Sequence, residues 1–214
     1  MKKLLFAVLF SVSVICNFVG LYFLFKKYYG DKRQIPFVDC KAIFVGDSRV
    51  AGAEWRKGLD RLDVINAGIS GITSGQLLTK LDSVLSGRSP EFAVVQVGVN
   101  DIRTSVPLDS TVLNYQGILR YLKVKSIKPI LTSTISIRKD FAQDVIPENL
   151  VNERVASLNV ALQGLARQEK VRFIDVTGPM SSDGRLRMEF TYDGIHLSDD
   201  GEMILYESLR TLLN

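Results

Sequence analysis

The stretch AIFVGDS, residues 42–48, guides the interpretation of the rest of this 214-residue chain. Four consecutive apolar residues end at Gly46, and an aspartate and a serine follow at once. A short apolar run closed by a glycine is typical of a strand buried on both faces, as in a parallel sheet. The sequence therefore predicts a first strand over residues 42–45, with Ser48 just beyond its carboxyl end.

Four more short apolar runs follow the same pattern further along the chain. They cover residues 62–65, 92–97, 129–137 and 171–176. Runs of this length, bounded by turn residues, are typical of strands and too short for most helices. The sequence therefore predicts five strands, with two irregular connections near the carboxyl end, over residues 138–148 and 177–193.

Helical patterns fill the gaps between these runs. Apolar residues recur at spacings of three and four after Ser74, after Asp109, over residues 151–165 and after Ser198. Ser74 is a candidate cap for the first of these helices, and Asp199 with Glu202 three residues on is a candidate capping pair for the last. Regular strand–helix alternation predicts an α/β fold, a three-layer α/β/α sandwich around a five-stranded parallel sheet.

The first 33 residues differ in composition from the rest. An uncharged run spans residues 4–25 and is flanked by lysine pairs. A helix needs about 20 residues to cross a bilayer, whereas the apolar part of a signal peptide has about 7–15. We therefore expect residues 1–33 to form a transmembrane anchor with a basic flank, and residues 34–214 to form the folded domain. A long cleaved signal peptide and a buried core helix are the alternatives.

Membrane orientation is less well defined by the sequence. Basic residues flank the apolar run on both sides, so the positive-inside rule gives no clear answer. Long domains translocate largely regardless of charge. We expect a single-pass protein of the cell membrane, with the domain on the extracytoplasmic side, in the periplasm or at the cell surface.

The charge distribution argues against nucleic acid as a partner. Residues 1–33 carry a net charge of +5, so residues 34–214 carry −1. The basic character of the whole chain therefore belongs to its first segment, and the domain has no basic excess for binding phosphates. Cys16 and Cys40 are the only cysteines, and their placement predicts neither an intrachain disulfide nor a metal site.

The polar candidates follow the ends of the predicted strands. Ser48 follows the first strand, Gly68–Gly71 the second, Asn100 the third, and His196 lies beyond the fifth. Ligands of parallel α/β sheets bind beyond the carboxyl ends of the strands. His196 is the only histidine, and Asp193 stands three residues before it. A serine, a histidine and an aspartate are the parts of a hydrolytic triad.

Four blocks of sequence together resemble the SGNH (GDSL-type) hydrolase family. They are GDSR at residues 46–49, NAGISG at 66–71, GVND at 98–101 and DGIH at 193–196. The resemblance covers residues 42 to about 210, with the blocks in the family's order. It implies a flavodoxin-like α/β/α fold and a serine esterase or lipase that needs no metal and no organic cofactor.

The resemblance also implies residue roles. Ser48 would be the nucleophile, His196 the base and Asp193 the residue that orients it. The backbone N–H groups of Ser48 and Gly71 and the side-chain amide of Asn100 would form the oxyanion hole, with Gly68 as the alternative glycine. Asp47 and Asp101 are both expected to bond loop amides, although Asp101 could compete with Asp193 for His196.

One residue departs from the family pattern. Arg49 stands where the family name implies leucine, and its charge could lie near the pocket mouth. Trp55, Arg185 and Arg187 could contact substrate, although packing or surface roles are the simpler expectation for each.

Each site residue also has a simpler structural interpretation. Ser48 could cap a helix, Asn100 could belong to a strand-exit turn, the two glycines could only permit tight turns, and His196 could lie at the start of a helix. These interpretations leave the coincidence of four blocks unexplained.

The substrate is open at this stage. An anchored external domain favours removal of O-acetyl or other short-chain acyl groups from envelope or surface carbohydrate. Lysophospholipase or thioesterase activity, acetyl transfer to a sugar through the same triad, and a catalytically silent carbohydrate-binding protein are the alternatives. The partners predicted are therefore a glycan or small-molecule ester and, through residues 4–25, the membrane.

Overall fold

The computed structural model describes residues 38–138 and 146–211. Five parallel strands form one sheet in the order β2-β1-β3-β4-β5. Their bounds are β1 Val38–Gly46, β2 Val64–Gly68, β3 Arg88–Gln96, β4 Lys128–Thr132 and β5 Arg172–Ile174. The predicted five-stranded parallel sheet is confirmed. The order of the strands reverses between β1 and β3, which creates a crevice at the carboxyl edge.

Seven α-helices connect and cover these strands in the described part of the chain. They are α1 Ser48–Gly52, α2 Trp55–Leu59, α3 Ser74–Val84, α4 Val99–Arg103, α5 Leu108–Val124, α6 Glu148–Glu169 and α7 Asp199–Arg210. The four longer helices, α3, α5, α6 and α7, are those that the spacing of apolar residues predicts. The short helices α1, α2 and α4 carry too few turns to show a periodic pattern.

The two faces of the sheet bury different helices. On β1, Ile43 and Val45 face a core shared with α3, α5 and α6, whereas Ala42 and Phe44 face a core shared with α1, α2 and α7. Strand side chains alternate between faces, so one apolar run serves both cores. This arrangement confirms the three-layer α/β/α sandwich.

All five strands differ from their predicted bounds: β1 and β3 each begin four residues earlier than predicted, and β5 is shorter at both ends. The second strand begins at Val64 and not at residue 62, because Leu62 is largely exposed and outside the ladder. The fourth ends at Thr132 and not at residue 137. Beyond Thr132 the chain stays buried, but the backbone groups of Thr134 and Ile137 bond to asparagine side chains of α6 instead of a neighbouring strand.

Two helix caps also differ from the prediction by one residue. Thr73 caps α3, in a capping box with Gln76, and Ser74 is the first helical residue. Ser198 caps α7 by accepting the N–H of Gly201, so Asp199 belongs to the first turn. Hydroxyl side chains suit both positions because they accept the unpaired N–H groups of the first turn.

The two irregular connections are described to different extents. Residues 139–145 lie outside the described residues. Residues 177–193 contain the short 3-10 helices Gly178–Met180 and Met188–Phe190 and a hairpin of two strands, β6 Ser181–Ser182 and β7 Arg185–Leu186. They lead into the segment that carries His196.

The predicted membrane anchor, residues 4–25, lies outside the described residues. Within residues 38–138 and 146–211, no helix combines the length and the apolar character needed to cross a bilayer.

Candidate active site

Ser48 is the first residue of α1, directly after the turn that ends β1. Asp47 caps this helix: its Oδ1 accepts the N–H of Arg49 at 3.0 Å. Ser48 is therefore not the cap, and its hydroxyl is not used to satisfy the start of the helix. The turn holds the serine at the carboxyl edge of the sheet, where the strand order reverses.

His196 lies in a tight turn just before α7. Buried Thr191 closes the turn, because its Oγ1 accepts the N–H of Gly194 at 2.9 Å and donates to the carbonyl of His196 at 2.6 Å. Asp193 Oδ1 accepts the N–H groups of Ile195 at 2.9 Å and of His196 at 2.7 Å. One carboxylate oxygen therefore shapes the backbone while the other stays available to the imidazole.

Ser48, His196 and Asp193 form one continuous chain of hydrogen bonds. His196 Nδ1 lies 2.6 Å from Asp193 Oδ2, and His196 Nε2 lies 3.0 Å from Ser48 Oγ. An ionised carboxylate only accepts, so Nδ1 carries the proton and Nε2 is free to accept from the serine hydroxyl. The structure thus brings together three residues that are up to 148 positions apart.

The electrostatics of this chain favour a charged aspartate. Partial burial acts to raise the pKa of Asp193, but the hydrogen bonds from the His196 ring, the His196 N–H and the Ile195 N–H outweigh it and lower the pKa below the ordinary aspartate value. The side chains of His196 and Asp193 are 35% and 38% exposed. A molecule from solvent can therefore reach the imidazole without any opening of the fold.

Asn100 and Gly71 lie at the same edge. Asn100 is in α4, after β3, is 8% exposed, and donates one amide hydrogen to the carbonyl of Ile72 at 3.0 Å. An amide nitrogen has two hydrogens, so this bond fixes the side chain and leaves the second hydrogen for a ligand. Gly71 precedes Ile72 in the turn after β2, which places its backbone beside the Asn100 amide.

The two candidate glycines have different surroundings. Gly71 has a φ of +76°, and a Cβ built there meets nothing within 4 Å, so its backbone borders open space. At Gly68 a Cβ would lie 2.2 Å from the backbone nitrogen of Ala51, so this glycine allows β2 to approach α1. Gly71 is therefore suited to border a binding surface, whereas Gly68 serves the close packing of β2 against α1.

The other acidic residues of the blocks bond elsewhere. Asp101 is fully buried and accepts the N–H of Ser74 at 2.8 Å and its hydroxyl at 2.5 Å, which ties α4 to the start of α3. His196 is thus bonded to Asp193 and not to Asp101. Burial raises the pKa of Asp47, and the neighbouring charge of Arg49 opposes that rise.

Arg49 corrects the expectation of a charge at the pocket mouth. Its side chain is only 4% exposed, and its guanidinium donates to backbone carbonyls. Trp55 is likewise buried, stacked on Phe44 with ring centroids 3.8 Å apart. Arg185 pairs with Glu148, and Arg187 with Glu189.

One exposed side chain beside the site, Tyr192, was not among the residues predicted from the sequence. Tyr192 is 67% exposed, and its ring lies nearly parallel to that of His196, with centroids 5.9 Å apart. Its position directly before Asp193 was the available signal. Within the described residues, no group of three or more His, Cys, Asp or Glu side chains is arranged to hold a metal ion.

Comparison with known proteins identifies relatives of this domain. An N-acylneuraminate cytidylyltransferase of Streptococcus agalactiae serotype V is 26% identical over 144 residues, 67% of this chain. That alignment covers 33% of the transferase, so the chain matches about a third of its length. An isoamyl acetate-hydrolyzing esterase of Saccharomyces cerevisiae is 26% identical over 165 residues, which cover 72% of this chain and 69% of the esterase.

A solved structure and a family model also match this domain. The structure of a candidate platelet activating factor from Streptococcus pneumonia matches with a TM-score of 0.76 and 26% identity, over 94% of this chain and 99% of that one. Residues 44–204, which include all four sequence blocks and the hydrogen-bonded residues Ser48, Asp193 and His196, match the model of a single family. The chain belongs to the GDSL-like lipase/acylhydrolase family.

Proposed function

We propose that this chain is a serine esterase that removes an O-acetyl or other short-chain acyl group from a carbohydrate of the cell envelope or surface. The observation that carries the proposal is the unbroken hydrogen-bond chain from Ser48 Oγ through His196 to Asp193. A serine hydroxyl becomes an effective nucleophile when an adjacent base takes its proton and a third group orients that base.

The proposed reaction has two halves. In the first, Ser48 Oγ attacks the ester carbonyl carbon while its proton moves to His196 Nε2. The resulting tetrahedral oxyanion collapses, the bond to the alcohol oxygen breaks, and His196 gives its proton to the leaving alcohol. In the second, His196 deprotonates a water that attacks the acyl-Ser48 carbonyl; the acid leaves and Ser48 regains its proton.

Two kinds of donor are proposed to stabilise the oxyanion. They are the backbone N–H groups of Ser48 and Gly71 and the second amide hydrogen of Asn100. Donors that are fixed before the reaction cost no reorganisation when the charge develops. The bond from Asn100 to Ile72 provides that fixation. Asp193, whose pKa is lowered, would remain ionised and stabilise the imidazolium.

Three observations favour an acetylated carbohydrate as substrate. The yeast relative is named for hydrolysis of an acetate ester, and the streptococcal relatives are named for an acylated sugar. Tyr192 offers an exposed aromatic face beside His196, a flat apolar surface on which a sugar ring can rest. Its phenol adds a polar group that can bond a hydroxyl.

A membrane location is part of the proposal and rests on the sequence alone. Residues 4–25 form an uncharged run of membrane-spanning length between lysine pairs. We propose that they anchor the chain with the catalytic domain outside the cytoplasmic membrane. Carbonate washing of membranes that carry the full chain tests this: the protein should stay in the pellet. Recovery of a soluble chain that begins after residue 25 would show a cleaved signal instead.

The substrate is tested with a series of p-nitrophenyl esters from C2 to C16 and with acetate release from acetylated oligosaccharides. We expect kcat/KM to be highest for C2 to C4 and acetate to be released from the glycan. A preference for long acyl chains would identify a lysophospholipase, and transfer of acetyl to added sugar in excess of hydrolysis would identify a transferase. Turnover of none of these by a folded protein would support the catalytically silent alternative.

A further inference from the structure

The buried side chain of Arg49 bonds two other segments of backbone, residues 135–136 and Ile195. Its Nε donates to the carbonyl of Ile195 at 2.7 Å, Nη1 to Ile135 at 2.5 Å and Nη2 to Ser136 at 3.1 Å. The side chain is 4% exposed, so these bonds replace water at a charged group. Breaking such bonds in a buried site is costly because the remaining polar group then has neither its partner nor water.

The contact with Ile195 acts directly on the backbone of His196. The Ile195 carbonyl and the His196 N–H belong to one peptide group. Arg49 Nε donates to its oxygen at 2.7 Å, and Asp193 Oδ1 accepts from its nitrogen at 2.7 Å. Because a peptide group is planar and rigid, holding both polar atoms fixes its orientation and therefore the position of the His196 Cα.

The other end of Arg49 is fixed to the nucleophile. Arg49 follows Ser48 in α1, and its own N–H donates to Asp47 Oδ1 at 3.0 Å. The same residue therefore continues the backbone of the nucleophile and bonds the backbone of the base. The side chain of Arg49 therefore links the backbone next to Ser48 to the peptide group of His196.

We propose that Arg49 is a positioning residue that sets the distance between Ser48 Oγ and His196 Nε2, so that its loss slows the chemical step more than it weakens substrate binding. This inference rests on the proposed function, because it assigns Arg49 a role in that reaction. Misplacement of a reacting group by about 1 Å can cost about 10²-fold in rate.

The geometry explains why arginine occupies this position. Three carbonyls converge on a planar fork of N–H donors, which lysine cannot reproduce from a single ammonium and methionine cannot bond at all. The buried charge is offset by Asp47, itself buried: burial lowers the pKa of Arg49 to about 10, while the Asp47 carboxylate opposes that shift. The guanidinium therefore stays charged around neutral pH.

The test compares Arg49→Lys and Arg49→Met with Asn159→Ala in the full-length protein. Asn159 is a matched control because its side chain holds both the N–H and the carbonyl of Thr134, next to Ile135 on the same buried segment, but makes no contact with the His196 peptide. Each variant is assayed below its own Tm, so that loss of folded protein does not enter kcat.

We expect kcat to fall about 10²-fold in Arg49→Met and less in Arg49→Lys, with KM nearly unchanged in both. Asn159→Ala should lower the Tm but leave kcat close to wild type. Because the chain has one histidine, the NMR signal of the His196 Nδ1 proton reports the geometry without overlap. It should shift in the Arg49 variants and stay in place in Asn159→Ala.

Two results would overturn the inference. One is a wild-type kcat and an unshifted His196 signal in Arg49→Lys, which is the milder variant and the more certain to fold. The other is an equal loss of kcat in Asn159→Ala. Failure of the proposed function would look different: the wild-type protein itself would not turn over esters, or Ser48→Ala would turn them over normally.

Discussion

The two halves of the site are built in different ways. On the side of the proposed nucleophile, Ser48 follows a buried strand and begins a helix, so regular backbone structure sets its place. On the side of the proposed base, the only ladder contact within residues 191–198 is the isolated bridge between Thr191 and Leu197. The path of this turn is set by side chains, because Thr191, Asp193 and Arg49 bond its backbone. The proposed reaction needs Ser48 and His196 within hydrogen-bond distance of each other. We therefore expect catalysis to be most sensitive to substitutions around His196, where no strand pairing holds the backbone.

The largest effect is expected from removing the base itself. His196→Ala leaves Ser48 without a proton acceptor, so kcat on p-nitrophenyl acetate should fall by at least about 10³-fold. The rate of the wild-type enzyme should fall as the pH is lowered, because protonated His196 cannot accept the serine proton. That single acidic limb should vanish in the variant, since the chain has no other histidine. A limb that persists would place the base elsewhere.

The next effect separates the two aspartates that the sequence left in competition. Asp193→Asn should lower kcat by about 10⁴-fold, because an amide favours the wrong imidazole tautomer. Asp101→Asn should lower the Tm, since Asp101 joins α4 to α3. It should keep kcat within about tenfold of wild type, because Asp193 and not Asp101 orients the imidazole. The reverse pattern, with Asp193→Asn harmless and Asp101→Asn severely impaired, would move the third member of the triad to Asp101.

Removal of Asn100 is expected to have a smaller effect, confined to the transition state. Asn100→Ala should lower kcat by about 10²–10³-fold with little change in KM, because one preorganised donor to the oxyanion is lost. Steady-state kinetics on the short-chain ester measure both constants. A rise in KM with kcat unchanged would show that Asn100 binds the ground state.

The smallest effect concerns stability at acid pH. Since the pKa of Asp193 is lowered in the folded protein from its ordinary value of 3.8, its contribution to stability is present above that value. It is lost as the pH falls through the lower folded pKa. Urea unfolding of the wild type and of Asp193→Asn should show that the free energy of unfolding falls less in the variant between pH 6 and pH 3. Identical declines would mean that the carboxylate contributes no pH-dependent stability.

The contrast between the halves also describes what the sequence could predict. Local patterns were sufficient to locate the five strands and the four long helices, because the spacing of apolar residues indicates which face of an element is buried. The end of β4 could not be predicted in this way. Thr134, Ile135 and Ile137 continue the β-branched pattern of the strand, but the backbone of residues 134–137 bonds to side chains from α6 and α1, and no local signal distinguishes those partners from a strand.

Arg49 shows the same limit within the site. Arginine is among the residue types least often buried, so the sequence alone predicts that the side chain of Arg49 is exposed. The carbonyls that it bonds are 86, 87 and 146 positions away, and their convergence depends on the completed fold. The four family blocks located Ser48, Asn100, Asp193 and His196 because the residue types are distinctive. The supporting bonds from Thr191 and Arg49 became visible only with the structure.

The proposed role of Ser48 as an activated nucleophile is tested most directly by labelling with a fluorophosphonate, followed by mass spectrometry of the peptides. The reagent reacts with a serine only when a base activates it. We expect a single adduct on Ser48 in the wild-type protein, strongly slowed labelling in His196→Ala, and no adduct in Ser48→Ala while the fold is retained. Undiminished labelling of Ser48→Ala, or an adduct on another residue of the wild-type chain, would contradict that role.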